Sequence, residues 1–146
     1  MSRVLTSEAT GAVVYVFSDD HCPPHVHARH RGDGWVARVR FAYLDRTVAL
    51  LSIAPLRNVP LQRTVNLLLA DIEAALPACR RSWWVTRQTA CLDNQWAFIR
   101  TPDMIEVLPG PASGAMQVVK AIYDLKGERL QVAFRDGATA DVSTRP

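Results

Sequence analysis

Apolar and polar residues alternate over short stretches in the first half of the chain, which is the pattern of half-buried β-strands. In the clearest stretch, 35–42, one side carries Trp35, Ala37, Val39 and Phe41, and the other carries Val36, Arg38 and Arg40. A second run at 47–53 follows a turn and predicts an antiparallel partner strand, and the β-rich run 11–17 predicts a third strand.

A helical period follows these strands. The apolar positions that share this period are Leu61, Val65, Leu68, Leu69, Ile72 and Leu76. They predict one amphipathic helix over about 60–76, with Pro60 in the first turn, where proline is tolerated. Pro77 ends or kinks this helix, and 78–84 adds one further turn. We expect Trp83 and Trp84 to pack in or near the core rather than to stack on nucleic-acid bases.

Alternation returns near the C-terminus, after a stretch from 87 to 115 that turn residues interrupt. Asp136-Gly137 separates two alternating runs, which is a strong hairpin signal, so 118–123, 130–134 and 138–142 predict a three-stranded meander. One more strand is expected within 103–108. The predicted fold class is α+β: a small antiparallel sheet covered by one amphipathic helix, followed by a C-terminal antiparallel β-meander. The predicted domains are a β-β-β-α module over 1–86, a junction over 87–115 and the meander over 116–146.

Composition sets the outer limits of function. The 146 residues are 49% hydrophobic, and the net charge of +3 permits nucleic-acid binding without demonstrating it. No run approaches the roughly 18 apolar residues of a membrane span, and the start lacks a signal peptide's apolar stretch, so we expect a cytoplasmic protein without a membrane partner. The odd number of cysteines, Cys22, Cys79 and Cys91, predicts reduced thiols rather than a disulfide framework.

All four histidines lie within ten positions: His21, His25, His27 and His30. Pro23 and Pro24 stiffen the chain between the first and second of them. If the chain after Pro24 is extended, the i, i+2 spacing puts His25 and His27 on one side. Because imidazole binds transition metals and moves protons near neutral pH, this segment is the predicted functional centre.

Three interpretations of the segment stay open. In the first, His21, His25 and His27 are metal ligands, with Asp20, Cys22 or His30 as further candidates; three ligands and an open position suit catalytic zinc or iron. In the second, the segment is a rigid, partly exposed loop used for packing or for contacting a partner. In the third, the protein is a metal-independent ribonuclease, with His25 or His27 as base and another histidine as acid. There Arg38 or Arg40 holds the phosphate, whereas the plainer interpretation of these arginines is a solvated sheet face.

The histidine segment also carries a resemblance. Asp20-His21-Cys22-Pro23-Pro24-His25-Val26-His27, with the strand pair and helix after it, looks like bacterial domain-of-unknown-function family 4160 over about residues 10–84. The hallmark of that family is a histidine, two prolines and a His-x-His. The tail over 116–143 is similar to the opening hairpins of family 2442, whose genes often lie beside those of the first. Cys22 is a departure, because family 4160 more usually has a polar residue there.

The resemblance implies a small bacterial interaction or regulatory protein of toxin-antitoxin type. Its partner would be a cognate small protein or RNA, bound by the histidine loop together with Trp35. This is the favoured hypothesis from the sequence. The alternatives are the metal-dependent enzyme and the metal-independent ribonuclease described above.

Overall fold

The computed structural model describes residues 1–145, which form an α+β structure with two antiparallel sheets of five strands each. The chain divides into two compact units. The first consists of Met1–Ala42 and Arg46–Gln88. The second consists of Tyr43–Asp45 and the chain from Thr89 onward. The predicted α+β class with antiparallel pairing is therefore confirmed.

The first sheet follows the order of the sequence. Its strands are β1 (Ser2–Thr6), β2 (Val13–Val16), β3 (His25–His30), β4 (Trp35–Phe41) and β5 (Val48–Ala54). Each strand pairs antiparallel with the next. The predicted strands near 11–17, 35–42 and 47–53 are present. β1 was not predicted, and the histidine segment itself supplies β3.

Two α-helices, rather than the single predicted one, follow β5 and a short 3-10 turn (Leu56–Asn58). They are α1 (Gln62–Ala74) and α2 (Leu76–Arg87). Pro77 lies in the first turn of α2, where its missing N–H is not needed, so the chain resumes a full helix after it. Neither helix in the described part of the chain combines the length and apolar character needed to cross a bilayer.

The core of the first unit comes from one face of its sheet and from the buried side of both helices. Directly opposite residues of β3 and β4, such as Val26 with Val39 and Ala28 with Ala37, are fully buried. The buried helix residues include Val65, Leu68, Ile72, Leu76 and Trp83. Trp83 is therefore a core residue, as predicted. Leu61, which was assigned to the apolar face, is exposed, because it is the N-cap residue that precedes the first turn of α1.

The second unit is a sheet with the order β10-β9-β8-β6-β7. Its strands are β6 (Trp96–Thr101), β7 (Met104–Leu108), β8 (Met116–Asp124), β9 (Arg129–Phe134) and β10 (Thr139–Ser143). The last three strands pair consecutively, and Gly137 at the β9–β10 turn has a φ of 90°, which glycine adopts readily. β7 confirms the strand predicted within 103–108, whereas β6 was not predicted; both lie in the stretch predicted to be a junction.

The cysteines differ from the prediction. Cys22 and Cys91 are disulfide-bonded, so the expectation of reduced thiols is wrong for both. The odd number of cysteines favoured reduced thiols for the chain as a whole, but a count carries no information about individual cysteines. Cys79 of α2 is free and fully buried. Burial raises the pKa of its thiol to about 12.

Candidate metal centre

His25 and His27 enter the site from the start of β3. The carbonyl of Pro24 accepts the backbone N–H of Phe41 at 3.0 Å, which fixes the chain just before the strand. Because β3 is extended from its first residue, His25 and His27 project to the same face of the sheet. This is the shared orientation that the proline pair and the i, i+2 spacing predict.

Asp20 reaches the histidines from the connection between β2 and β3. Its backbone N–H donates to the carbonyl of Phe17 at 3.3 Å, and its Oδ2 accepts the N–H of Phe17 at 2.8 Å. The other oxygen, Oδ1, lies 2.9 Å from Nε2 of His27 and 3.5 Å from Nε2 of His25. The backbone therefore orients the carboxylate so that one oxygen faces both imidazoles.

These three residues form a group that is close enough to hold a metal ion, because one ligand atom from each lies within 4.8 Å of the others. Two donors that bind a metal at about 2.0–2.2 Å lie about 2.9 Å apart at a right angle and about 3.4 Å apart at a tetrahedral angle. The two distances from Asp20 Oδ1 to the imidazole nitrogens, 2.9 and 3.5 Å, match this range.

The group is largely withdrawn from solvent. The side chains of Asp20, His25 and His27 are 8%, 6% and 14% exposed. Aromatic rings surround the two imidazoles: those of Tyr15, Phe17 and Trp83. The ring of Phe17 lies edge-on to His27 with a centroid distance of 4.7 Å, and the Trp83 ring is 5.4 Å from His25. Electrostatic interactions within this apolar shell are stronger than they are in water.

The hydrogen bond of His25 determines where its lone pair points. Nδ1 lies 2.9 Å from the carbonyl of Pro23, which can only accept, so Nδ1 carries the proton. In the neutral imidazole Nε2 is then an acceptor, and it faces the carboxylate oxygen of Asp20, which is also an acceptor. A metal ion held between these two atoms would accept a lone pair from each of them.

The remaining predicted ligands lie outside this group. His21 is exposed, and the sulfur of Cys22 is engaged in a disulfide. Asp20, predicted only as a further candidate, takes the place beside His25 and His27 that was assigned to His21. The i, i+2 spacing determines which side chains of a strand share a face. Asp20 and His21 lie before the strand, in the β2–β3 connection, and the path of that connection decides which of the two faces the histidines.

His30 lies on the opposite face of β3, directly across from Trp35. Its Nδ1 accepts the N–H of Asp33 at 2.9 Å, and its ring stacks on Trp35 with a centroid distance of 5.3 Å. Trp35 is only 1% exposed. It therefore does not form part of a surface for a partner, in contrast to the prediction.

Arg38 and Arg40 stand directly across from His27 and His25 on β4. Opposite residues of an antiparallel pair share a face, with their Cβ atoms about 4.5–5.5 Å apart. We call the surface that carries His25, His27, Arg38 and Arg40 the histidine face. Both arginines are exposed, and Nε of Arg38 donates to Oγ of Ser52 at 3.0 Å.

Residues that the sequence did not assign to the site include Tyr15 and Phe17. Both lie at alternate positions of the run that enters the histidine segment, and Tyr15 pairs directly with His27. The period-2 pattern of that run indicates that Tyr15 and Phe17 share one side of the strand. On that side they lie next to the residues that the adjacent strand, β3, projects in the same direction. The identity of that neighbouring strand was the missing information.

Compared with protein-family models, curated proteins and solved structures, the chain has no match. The resemblance to families 4160 and 2442 therefore stays a prediction.

Proposed function

We propose that this protein is a metal-dependent enzyme in which Asp20, His25 and His27 bind one divalent transition-metal ion. The observation that carries the proposal is the position of Asp20 Oδ1, which is 2.9 and 3.5 Å from two imidazole nitrogens. One of those nitrogens, Nε2 of His25, has no proton to donate while the imidazole is neutral. A metal ion satisfies all three donors at once.

The donor set supports a catalytic ion rather than a closed structural one. Two imidazoles and one carboxylate are typical ligands of zinc and of non-haem iron, and three protein ligands leave coordination positions for water and substrate. The bond from His25 Nδ1 to the Pro23 carbonyl is the kind of outer contact that fixes the orientation of a ligating histidine. The partner of His25 Nδ1 is a backbone carbonyl and not a carboxylate, so the backbone sets the tautomer of this imidazole.

Metal-free acid/base chemistry is the competing function, and one contact favours it. Nε2 of His27 lies 2.9 Å from Asp20 Oδ1, which is the arrangement of an imidazole oriented by a carboxylate. In this case a proton on His27 occupies the position that the metal ion takes in our proposal. The toxin-antitoxin role remains a prediction from the family resemblance, and the burial of Trp35 removes one of its assigned contact residues.

Metal analysis of protein purified without a histidine tag tests the proposal, followed by titration of the metal-free protein with Co²⁺ and Zn²⁺. We expect one ion per chain. His25→Ala and His27→Ala should each weaken binding at least a hundredfold, since each removes one of three ligands. His21→Ala and His30→Ala are matched controls, because these histidines lie outside the group, and both should stay within about threefold of the wild type.

Circular dichroism and thermal melting establish that each variant is folded before its affinity is measured. The proposal fails if the wild type binds no metal, or if all four histidine variants bind it equally well. Enzymatic activity that persists in the metal-free protein and disappears in His27→Ala would instead favour metal-free acid/base chemistry.

A further inference from the structure

We infer that Arg38 and Arg40 form the phosphate-binding part of this site, and that its substrates are phosphate esters. The inference rests on the proposed function for the reaction step, whereas the phosphate subsite itself follows from the two arginines. The register of β3 and β4 places both arginines beside the histidines. Arg38 is paired with His27 and Arg40 with His25, so each arginine flanks one proposed metal ligand on the histidine face.

Neither arginine has a carboxylate partner in the part of the chain that the structure describes. None of the ion pairs among residues 1–145 involves Arg38 or Arg40, although carboxylates pair with Arg46, Arg100, Arg129 and Arg145. Two uncompensated guanidinium groups beside a buried centre repel a cation and attract an anion. An anionic substrate between the arginines and the metal ion would be attracted by both, which would make the placement of the arginines favourable.

The geometry of Arg38 supports an oxyanion in particular. Its Nε donates to Ser52 Oγ, which restrains the guanidinium and leaves its terminal N–H groups for a ligand. Arginine forms two parallel hydrogen bonds with phosphate oxygens, and such a pair fixes orientation as well as charge. A phosphate bound by both arginines would lie on the histidine face, which also carries the two proposed histidine ligands.

The reaction that follows is hydrolysis. Asp20, His25 and His27 would hold a metal ion that supplies an activated water. In the balanced reaction the water oxygen would bond to phosphorus, the bond from phosphorus to the ester oxygen would break, and a proton from the water would pass to the leaving oxygen. Nothing is oxidised or reduced. The protein would contribute charge neutralisation through the arginines and, through the Pro23 carbonyl, the orientation of the His25 imidazole.

The test is isothermal titration of the metal-loaded protein with inorganic phosphate. We expect binding in the wild type, and a loss of at least tenfold in phosphate affinity in Arg38→Gln and in Arg40→Gln. Arg63→Gln is the matched control, because Arg63 is an exposed arginine that belongs to α1 and not to β4, and its phosphate affinity should stay within twofold of the wild type. Arg38→Lys and Arg40→Lys keep the charge and should fall between the wild type and the glutamine variants.

Metal affinity is measured on the same variants, and it separates this inference from the proposed function. Metal affinity within about threefold of the wild type, combined with lost phosphate affinity, supports the phosphate subsite. Phosphate affinity that is absent in the wild type, or unchanged in both glutamine variants, overturns it. If the wild type binds no metal, the proposed function fails. The phosphate titration of the metal-free protein then still decides whether the arginines bind phosphate.

Two chromogenic probes distinguish the kind of ester, 4-nitrophenyl phosphate for monoesters and bis(4-nitrophenyl) phosphate for diesters. Hydrolysis of either probe that requires metal and both arginines supports the inference. Hydrolysis that is unchanged in Arg38→Gln and Arg40→Gln counts against it.

Discussion

Replacing Asp20 by asparagine tests the proposed metal site with the smallest change of shape. The amide oxygen of asparagine can still accept the N–H of Phe17, a bond of 2.8 Å in the wild type. The amide NH₂ then faces the histidines, where the wild type has a carboxylate oxygen 2.9 and 3.5 Å from two imidazole nitrogens. The variant therefore keeps its backbone anchor and loses the negative ligand. Asp19→Asn is the matched control, because Asp19 is the adjacent carboxylate and is exposed.

The magnitude follows from linkage between metal binding and unfolding. At a metal concentration 100 times the dissociation constant, the bound ion stabilises the folded protein by about 2.7 kcal/mol. For a chain of this length that corresponds to a rise of about 5–11 °C in Tm. Changes in outer contacts of a metal site cost about 10–100-fold in affinity, so loss of a ligand should cost at least a hundredfold. At the same metal concentration Asp20→Asn then retains about 0.4 kcal/mol, or about 1 °C.

The assay is thermal unfolding of metal-free protein with and without Zn²⁺ or Co²⁺ at one fixed concentration. In the absence of metal, the free energy of unfolding of Asp20→Asn should be about 1 kcal/mol below that of the wild type, because a neutral acceptor replaces a charged one for the N–H of Phe17. The reasoning is refuted if Asp20→Asn gains as much Tm from the metal as the wild type does. It is also refuted if Asp19→Asn loses the gain equally, because a general effect of charge would then explain both results.

Two further predictions concern the scaffold. Leu68→Ala should lower the free energy of unfolding, measured in urea, by about 2–5 kcal/mol, because Leu68 is fully buried. Leu67→Ala should cost under about 0.5 kcal/mol, because Leu67 is 40% exposed. A loss as small for Leu68→Ala as for Leu67→Ala would mean that this side of α1 is not core. Burial raises the pKa of the Cys79 thiol from 9.0 to about 12, so between these pH values the unfolded chain releases a proton that the folded chain retains. The free energy of unfolding should therefore fall as pH rises through this window, by up to about 1.4 kcal/mol per unit, and Cys79→Ala should reduce that slope. An unchanged slope in Cys79→Ala would show that other groups cause the dependence.

Local pattern was sufficient where neighbouring residues along the chain decide the structure. Alternation predicted β4 and β5, and the prolines before His25 predicted the extended segment that gives His25 and His27 a common side. The same alternation placed Trp35 with Val39 and Phe41, which are buried. The assignment of Trp35 to a partner surface thus conflicted with the pattern that defined its strand.

Local pattern was insufficient where a distant segment decides the structure. Asp20 and His21 are adjacent, both polar and both plausible ligands, and only the turn that bonds Asp20 to Phe17 selects the carboxylate. β1 has no strong period of its own, and it becomes a strand because β2 offers an edge to pair with. Pro77 was interpreted as the end of a helix, although proline also suits the first turn of a new one, and the continuation of α2 depends on the burial of Leu76, Cys79 and Trp83.

Burial of the histidines bears on the choice between the proposed metal site and a partner-binding loop, because the two functions make opposite demands on these residues. Residues that contribute most to a protein interface must be accessible in the free protein so that they can reach pockets of the partner. Asp20, His25 and His27 instead point at one another within a shell of aromatic rings, and at most 14% of any of these side chains is exposed. The exposed groups beside them are the arginines of the histidine face, whose charge suits a small anion that enters the site. A regulatory partner of the kind that the family resemblance implies would therefore need to bind through other side chains. Variants of His25 and His27 would then alter metal binding while leaving that complex intact.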